Sequence, residues 1–340
     1  MDMLVKPAEY GWLPDALIRI GIRRLVKRRL KEETLIASEQ YPRLLDELSK
    51  SHLALHTEDA NQQHYEVSSE FFQIVLGSAL KYSSGYWSDG DETLDQAEES
   101  MLDLYAERAL LADGQQILDL GCGWGSFTLW AAQKFPQSVF TAVSNSKSQK
   151  IFIEQQCLKL GLTNVRIITD DINTLRLAEK FDRVVSIEMF EHVRNYEELL
   201  RRIAGWLTPT GILFVHIFCH KELMYPFETN GQGDWMARYF FTGGLMPSAD
   251  TFSHFGDDLE IESSWLLPGT HYEKTSRAWL AKLDNNKNSV RAALIDTYGK
   301  QNADLWVGRW RLFFMACEEL FGYAHGEQWK VAHYRFRLSK

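Results

Sequence analysis

The sequence predicts an α/β protein built on a doubly wound, mostly parallel sheet, and three observations carry that prediction. From residue 115 onward short apolar runs alternate with helical patterns. A glycine turn follows the first run and opens a helix, and three charged or titratable residues, Glu188, Glu191 and His192, gather where the fourth run ends. Charges at that position are expected only where a strand ends at a ligand crevice, which in open α/β sheets lies beyond the carboxyl edge.

Residues 1–114 read as helical and precede the first strand, so they predict an N-terminal helical cap over one end of the sheet. The strand runs are QQILDL at 115–120, SVFTAVS at 138–144, VRIITD at 165–170, FDRVVSIE at 181–188 and GILFVHIF at 211–218. Helical patterns near 125–135, 146–160 and 196–207 are long enough for right-handed crossovers between parallel strands. After 218 the pattern gives way to an aromatic, glycine-containing stretch to about 255, then a strand-like run at 259–267. Two or three helices follow to about 322, and QWKVAHYRFRL at 328–338 predicts a last strand. The expected organisation is a cap over 1–114 and a sheet domain over 115–340, with substrate-covering insertions at about 219–255 and 272–322.

With 340 residues, 45% hydrophobic and 24% charged, the chain can bury a substantial core. Its formal charge of −9 argues against a nucleic-acid partner, which would call for a basic surface. The four cysteines, at 122, 157, 219 and 317, form no C-x-x-C pair, so no metal site is expected and the thiols read as reduced, as in the cytoplasm. No apolar run reaches the length of a membrane span. Residues 17–31 carry seven Lys or Arg among helically spaced apolar residues, which leaves two options: weak contact with a membrane surface, or docking on the body of the protein.

The turn Asp119-Leu120-Gly121-Cys122-Gly123-Trp124-Gly125 is G-x-G-x-G rather than the G-x-G-x-x-G of dinucleotide folds. The second run ends in Ser144-Asn145, where a nicotinamide site would want an acid. Both points lower the nicotinamide reading and leave a small-ligand turn at which Gly121 and Gly123 admit close backbone approach.

Several longer stretches match in order. EMFEHV at 188–193, HYEVSSEFF at 64–72, KYSSGYW at 81–87, SNSKSQ at 144–149 and HYEKT at 271–275, together with GCGWG, resemble the cyclopropane-fatty-acid synthase family of S-adenosylmethionine (SAM)-dependent methyltransferases. The similarity covers roughly residues 60–340 and is greatest to the plant alkaloid branch, the coclaurine and pavine N-methyltransferases. The resemblance implies a class I methyltransferase fold, Rossmann-like with a mostly parallel seven-stranded sheet, and SAM as cofactor. It implies a small-molecule amine as partner, with a homodimer as a further option.

On that resemblance Tyr82 and Ser83 cover the methionine end of the cofactor, and Gly121 and Gly123 supply close backbone. Asn145 and Gln149, four apart at a helix start, take the ribose hydroxyls. Asp171 accepts from the adenine amino group and Ile172 covers its ring. Methyl transfer from a sulfonium is an in-line displacement whose leaving group is already activated, so an amine acceptor mainly needs to lose a proton. His192 has the natural pKa for that base. Glu191, Glu188 and Glu66 attract the ammonium and orient the imidazole, and Tyr65 bonds the amine or a phenol hydroxyl. Trp329, in GEQW, is the strongest candidate among the late aromatics for a substrate wall. Lipid-modifying members hold a bicarbonate base with a cysteine where this chain has Ser84; the other bicarbonate positions are matched by Glu191, His216 and Tyr272. The expected activity is N-methylation of a secondary or tertiary amine on an aromatic, isoquinoline-type molecule. The alternatives are C-methylation of an unsaturated acyl chain and SAM binding without turnover.

Overall fold

The computed structural model describes residues 2–54, 67–228 and 235–340, with side chains from Val5. Tyr65 and Glu66 lie outside the described residues. Five strands, β1 (Gln116–Leu120), β2 (Val139–Ser144), β3 (Val165–Thr169), β4 (Phe181–Ile187) and β5 (Leu207–His220), pair in parallel in the order β3-β2-β1-β4-β5. The order reverses between β1 and β4, the switch point at which such sheets bind ligands. Between the strands run α5 (Ser126–Lys134), α6 (Lys147–Leu160) and α7 (Tyr196–Trp206). Strand residues alternate between two apolar cores: Ile117, Phe140 and Phe214 face one side, Leu118, Val143 and Leu213 the other.

The sheet is completed from the far end of the chain. β9 (Trp329–Leu338) lies antiparallel between β5 and β8 (Leu259–Leu267), giving seven strands. Its register places His216 directly opposite His333, and His333 opposite Trp265. Three helices, α9 (Thr270–Asn285), α10 (Lys287–Tyr298) and α11 (Ala303–Phe321), intervene before β9. The aromatic stretch after β5 holds a two-strand pair, β6 (Tyr225–Pro226) with β7 (Leu245–Met246), and a short helix α8 (Trp235–Tyr239).

Ahead of the sheet stand α1 (Asp2–Glu9), α2 (Asp15–Lys50), α3 (Ser69–Val75) and α4 (Leu94–Arg108). The basic segment 17–31 belongs to α2 and docks on the body. Arg19 bonds Glu318 and Glu319 at 2.7 and 2.8 Å, and Arg23 also pairs with Glu319. Among the described residues no helix is long and apolar enough to cross a membrane, and no cluster of ligating side chains suits a metal ion.

Candidate functional site

A cavity of about 1050 Å³ opens at the carboxyl edge of β1, β2 and β4, beneath α2, α9 and α11. That exceeds the roughly 300–1,000 Å³ of a single-ligand pocket, so two ligands can lie side by side. One end is backbone and polar groups after β1, β2 and β3; the other is a largely apolar chamber including Phe218, Phe241, Phe313 and Phe321.

At the polar end, Gly121 has φ +88°, and a Cβ there would fall 2.7 Å from Met189 Cγ. Gly123, at φ +53°, keeps open space around the position a Cβ would take. Both line the cavity. Only glycine holds this turn without strain while leaving a cradle for a ligand. Below it Asp119 is fully buried, its Oδ2 accepting from Thr128 Oγ1 at 2.5 Å, and burial raises its carboxyl to about 7.

Asn145 and Gln149 both face the cavity. They are not consecutive turns of one helix, as the spacing predicts: Ser146 is the N-cap and α6 begins at Lys147, which leaves Asn145 in the turn after β2. Ser144 Oγ donates to Gln149 Oε1 at 2.6 Å, which fixes the amide and leaves Gln149 Nε2 buried without a protein partner among the described residues. A buried donor aimed at a cavity implies a ligand acceptor. After β3 the acid at the cavity is Asp170, not Asp171. Asp171 turns away into a local bend, its Oδ1 accepting from Asn173 N and Nδ2, both at 2.8 Å. Ile172, Tyr82 and Ser83 line the cavity. Tyr82 packs among Phe72, Trp279 and Trp310.

The chamber end is organised by Glu188. It follows β4 with φ +48°, a left-handed conformation that is costly for a residue with a side chain. Its backbone N donates to His216 O at 2.8 Å, pinning the turn to β5. Its carboxylate takes three donors: Ser84 N at 3.0 Å and His216 Nε2 at 3.1 Å on Oε1, and the Tyr272 hydroxyl at 2.7 Å on Oε2. The chain's own carboxylate thus occupies donors that the resemblance assigned to a separate anion. Ser84 serves through its backbone, while its hydroxyl donates to Gly85 O at 3.0 Å.

Lys81, missed in the sequence, lies fully buried at the cavity wall. Its Nζ donates to Ser83 Oγ at 2.5 Å and Ser84 O at 2.7 Å, and sits 4.9 Å from the centre of the Tyr105 ring. Burial lowers its ammonium to about 7, and the charge of Glu188 opposes that fall. Burial likewise raises Glu188, to about 7, against the pull of Lys81 and of the Tyr272 and Ser84 donors.

His192 lines the chamber, its ring edge-on to Phe241 at 4.8 Å. Glu191, beside it in sequence, is a correction to the expected cluster. It is buried off the cavity, with Oε1 accepting from Phe218 N at 2.7 Å, and burial together with Glu188 holds its carboxyl well above the usual range. The left-handed residue at 188 and the 3-10 turn Phe190–His192 send the two glutamates to different places. Trp329 is a second correction. It is fully buried, donates from Nε1 to the Tyr225 hydroxyl at 2.9 Å, and packs in the core instead of on the wall. Of the late aromatics, Phe313 and Phe321 do reach the chamber.

Residues 53–330 match the sequence pattern of the mycolic acid cyclopropane synthetase family. The chain belongs to that family. Within it, (S)-coclaurine N-methyltransferase of Thalictrum flavum subsp. glaucum is 40% identical, covering 98% of this chain and 95% of the relative. Pavine N-methyltransferase of the same plant is 36% identical over 98% of this chain and 96% of its own length. A solved coclaurine N-methyltransferase, bound to N-methylheliamine and SAH, superposes with a TM-score of 0.92 at 39% identity, covering 98% of this chain and 99% of that one. This member of the mycolic acid cyclopropane synthetase family is accordingly a SAM-dependent methyltransferase with the seven-stranded class I fold. The glycine cradle and the buried, unpartnered Gln149 Nε2 fit such a cofactor.

Proposed function

We propose that the enzyme methylates the nitrogen of a secondary or tertiary amine carried on an aromatic, isoquinoline-like molecule. The observation that carries this reading is the placement of Glu188: a carboxylate with three protein donors at the wall of a largely apolar chamber. A cationic amine in that chamber finds a counter-charge already oriented, and the aromatic walls favour both its ring and its charge. The names of the coclaurine and pavine relatives support the same class of acceptor.

SAM, when bound, supplies an activated methyl group. Tyr82, Ser83, Gly121, Gly123, Asn145, Gln149, Asp170 and Ile172 would hold it, Asp170 taking the role expected of Asp171. Glu188 attracts the ammonium, and Lys81 stabilises the ionised carboxylate before a cation arrives. His192, on the same wall, takes the proton that blocks the amine lone pair. The remaining chamber residues exclude water and orient the ring. The described residues of 1–114 and of the insertions at about 219–255 and 272–322 that line the cavity, among them Ile18, Phe227, Phe241, Trp279 and Phe313, act as the cover.

Incubation with methyl-labelled SAM and, in parallel, tetrahydroisoquinoline amines or vesicles of unsaturated phospholipid tests this reading. Label in the amine supports it. Label only in lipid establishes acyl C-methylation instead, and no transfer to either acceptor contradicts amine methylation.

A further inference from the structure

Behind Glu188 a file of buried polar groups crosses the sheet. His216 Nε2 lies 3.1 Å from Glu188 Oε1; His216 Nδ1 lies 2.9 Å from His333 Nε2 and 2.8 Å from the Tyr105 hydroxyl; His333 Nδ1 lies 2.6 Å from an Arg108 NH1 nitrogen. The two imidazoles are the direct cross-strand pair of β5 and β9, and both are fully buried. Arg108 closes the file at the end of α4, half-buried, its guanidinium 4.7 Å from the centre of the Trp265 ring.

Hydrogen-bond chemistry gives the file one direction. A guanidinium has donors and no acceptor, so His333 Nδ1 carries no proton and Nε2 does. That N–H donates to His216 Nδ1, which must itself be unprotonated, so the His216 proton sits on Nε2 and donates to Glu188. Burial, which holds both imidazoles well below their usual pKa, agrees with two neutral rings. Every N–H along the line from Arg108 through His333 and His216 therefore points at Glu188.

We infer that Arg108 and His333 are positioning residues: through two imidazoles of fixed tautomer they commit His216 to donate to Glu188 and so keep Glu188 a hydrogen-bond acceptor facing the chamber. Toward Arg108 the file is also closed to proton export. Passing a proton outward from Glu188 would require His216 Nε2 to accept, His333 to reverse, and Arg108 to take a proton it cannot bind. A proton removed from a ligand leaves on the cavity side, where His192 stands.

The other titratable groups facing Glu188 are Lys81 ahead of α4, Tyr105 on α4, Glu191 after β4, Tyr272 on α9 and Cys317 on α11. Burial keeps Tyr105, Tyr272, Cys317 and Glu191 in their neutral forms. Lys81 and the proposed base His192, both on the cavity wall, are common to wild type and to variants of the file.

The role in catalysis rests on the amine reading above; the tautomers do not. Nitrogen-15 spectra of histidine-labelled protein without substrate should show His216 and His333 neutral, with the proton on Nε2, from pH about 6 to about 9, a range that spans the ordinary histidine pKa. Arg108→Gln, whose amide can accept as well as donate, should mix the tautomers. It should also move the acid limb of the kcat/KM profile for the amine upward by roughly 0.5–1 pH unit, because an ionised carboxylate loses a committed donor. Arg108→Lys, again a donor only, should restore both. A proton on His216 Nδ1 in the wild type overturns the inference whether or not amines are methylated. An unmoved acid limb and unmixed tautomers in Arg108→Gln, with amine methylation intact, overturn it while leaving the functional reading in place.

Discussion

The Tyr272 hydroxyl donates to Glu188 Oε2 at 2.7 Å, tying α9 to the turn that ends β4. These residues are 84 apart in sequence, and their bond joins the C-terminal helices that roof the cavity to the strand edge beneath it. Tyr272 also stacks on Phe321 of α11 with ring centres 4.3 Å apart, so roof, carboxylate and chamber wall are one packed unit.

His192→Ala should lower kcat for amine methylation by about 100-fold near neutral pH, the scale of a lost general base. The deficit should shrink as the pH approaches the amine's own pKa, where free base is abundant. Steady-state kinetics across pH check this; a deficit that stays constant with pH contradicts the role.

Asp170 lines the cavity while also bracing its turn, its Oδ1 accepting from Asp171 N and Thr174 Oγ1, both at 2.8 Å, whereas Asp171 is off the cavity. Asp170→Ala should raise the KM for SAM by about tenfold or more, the cost of a charged hydrogen-bond acceptor. Asp171→Ala should stay within about threefold while lowering thermal stability, because it removes the bond to Asn173. The reverse order of effects on KM would show that Asp171 holds the ligand.

Trp329→Phe should cost about 1–3 kcal/mol of stability by leaving the Tyr225 hydroxyl without its buried donor. Amine KM should change by less than about threefold, since the indole is off the cavity. Denaturant melts paired with kinetics distinguish this from a wall residue, whose loss would raise KM with little change in stability.

Burial raises the Asp119 carboxyl to about 7, so the folded chain keeps a proton that the unfolded chain releases near pH 4. This group's contribution to stability is full below that lower value and is lost as the pH climbs toward 7. Asp119→Asn should therefore gain on wild type between pH about 4 and about 8, by at most about 4 kcal/mol. Urea midpoints at both pH values measure it; a gap independent of pH contradicts the protonated state.

The parallel half of the sheet was legible because its strands are local apolar runs separated by helices of crossover length. The glycine turn and the clustered charges at 188–192 marked the right edge for the same reason. Pairings over long separations were not legible. Nothing near residue 333 announces that β9 folds back beside β5 and sets His333 against His216, 117 positions away. Short-range geometry also hid two facts. A left-handed residue at 188 parts two glutamates that lie three apart in sequence, and a strand that stops at Thr169 gives the cavity to Asp170 instead of its neighbour. Lys81 escaped notice because a lysine in a loop is ordinarily solvated, and only the tertiary fold buries it.

The central claim is that the Glu188 carboxylate recognises a cationic amine. Calorimetric affinities of wild type and Glu188→Gln for an isoquinoline-type amine and for a neutral isostere with carbon in place of nitrogen test it most directly. Glu188→Gln should weaken the amine by about tenfold or more, as loss of a charge-assisted contact does, and leave the neutral isostere unchanged. Equal losses for both ligands, or none for the amine, would contradict it.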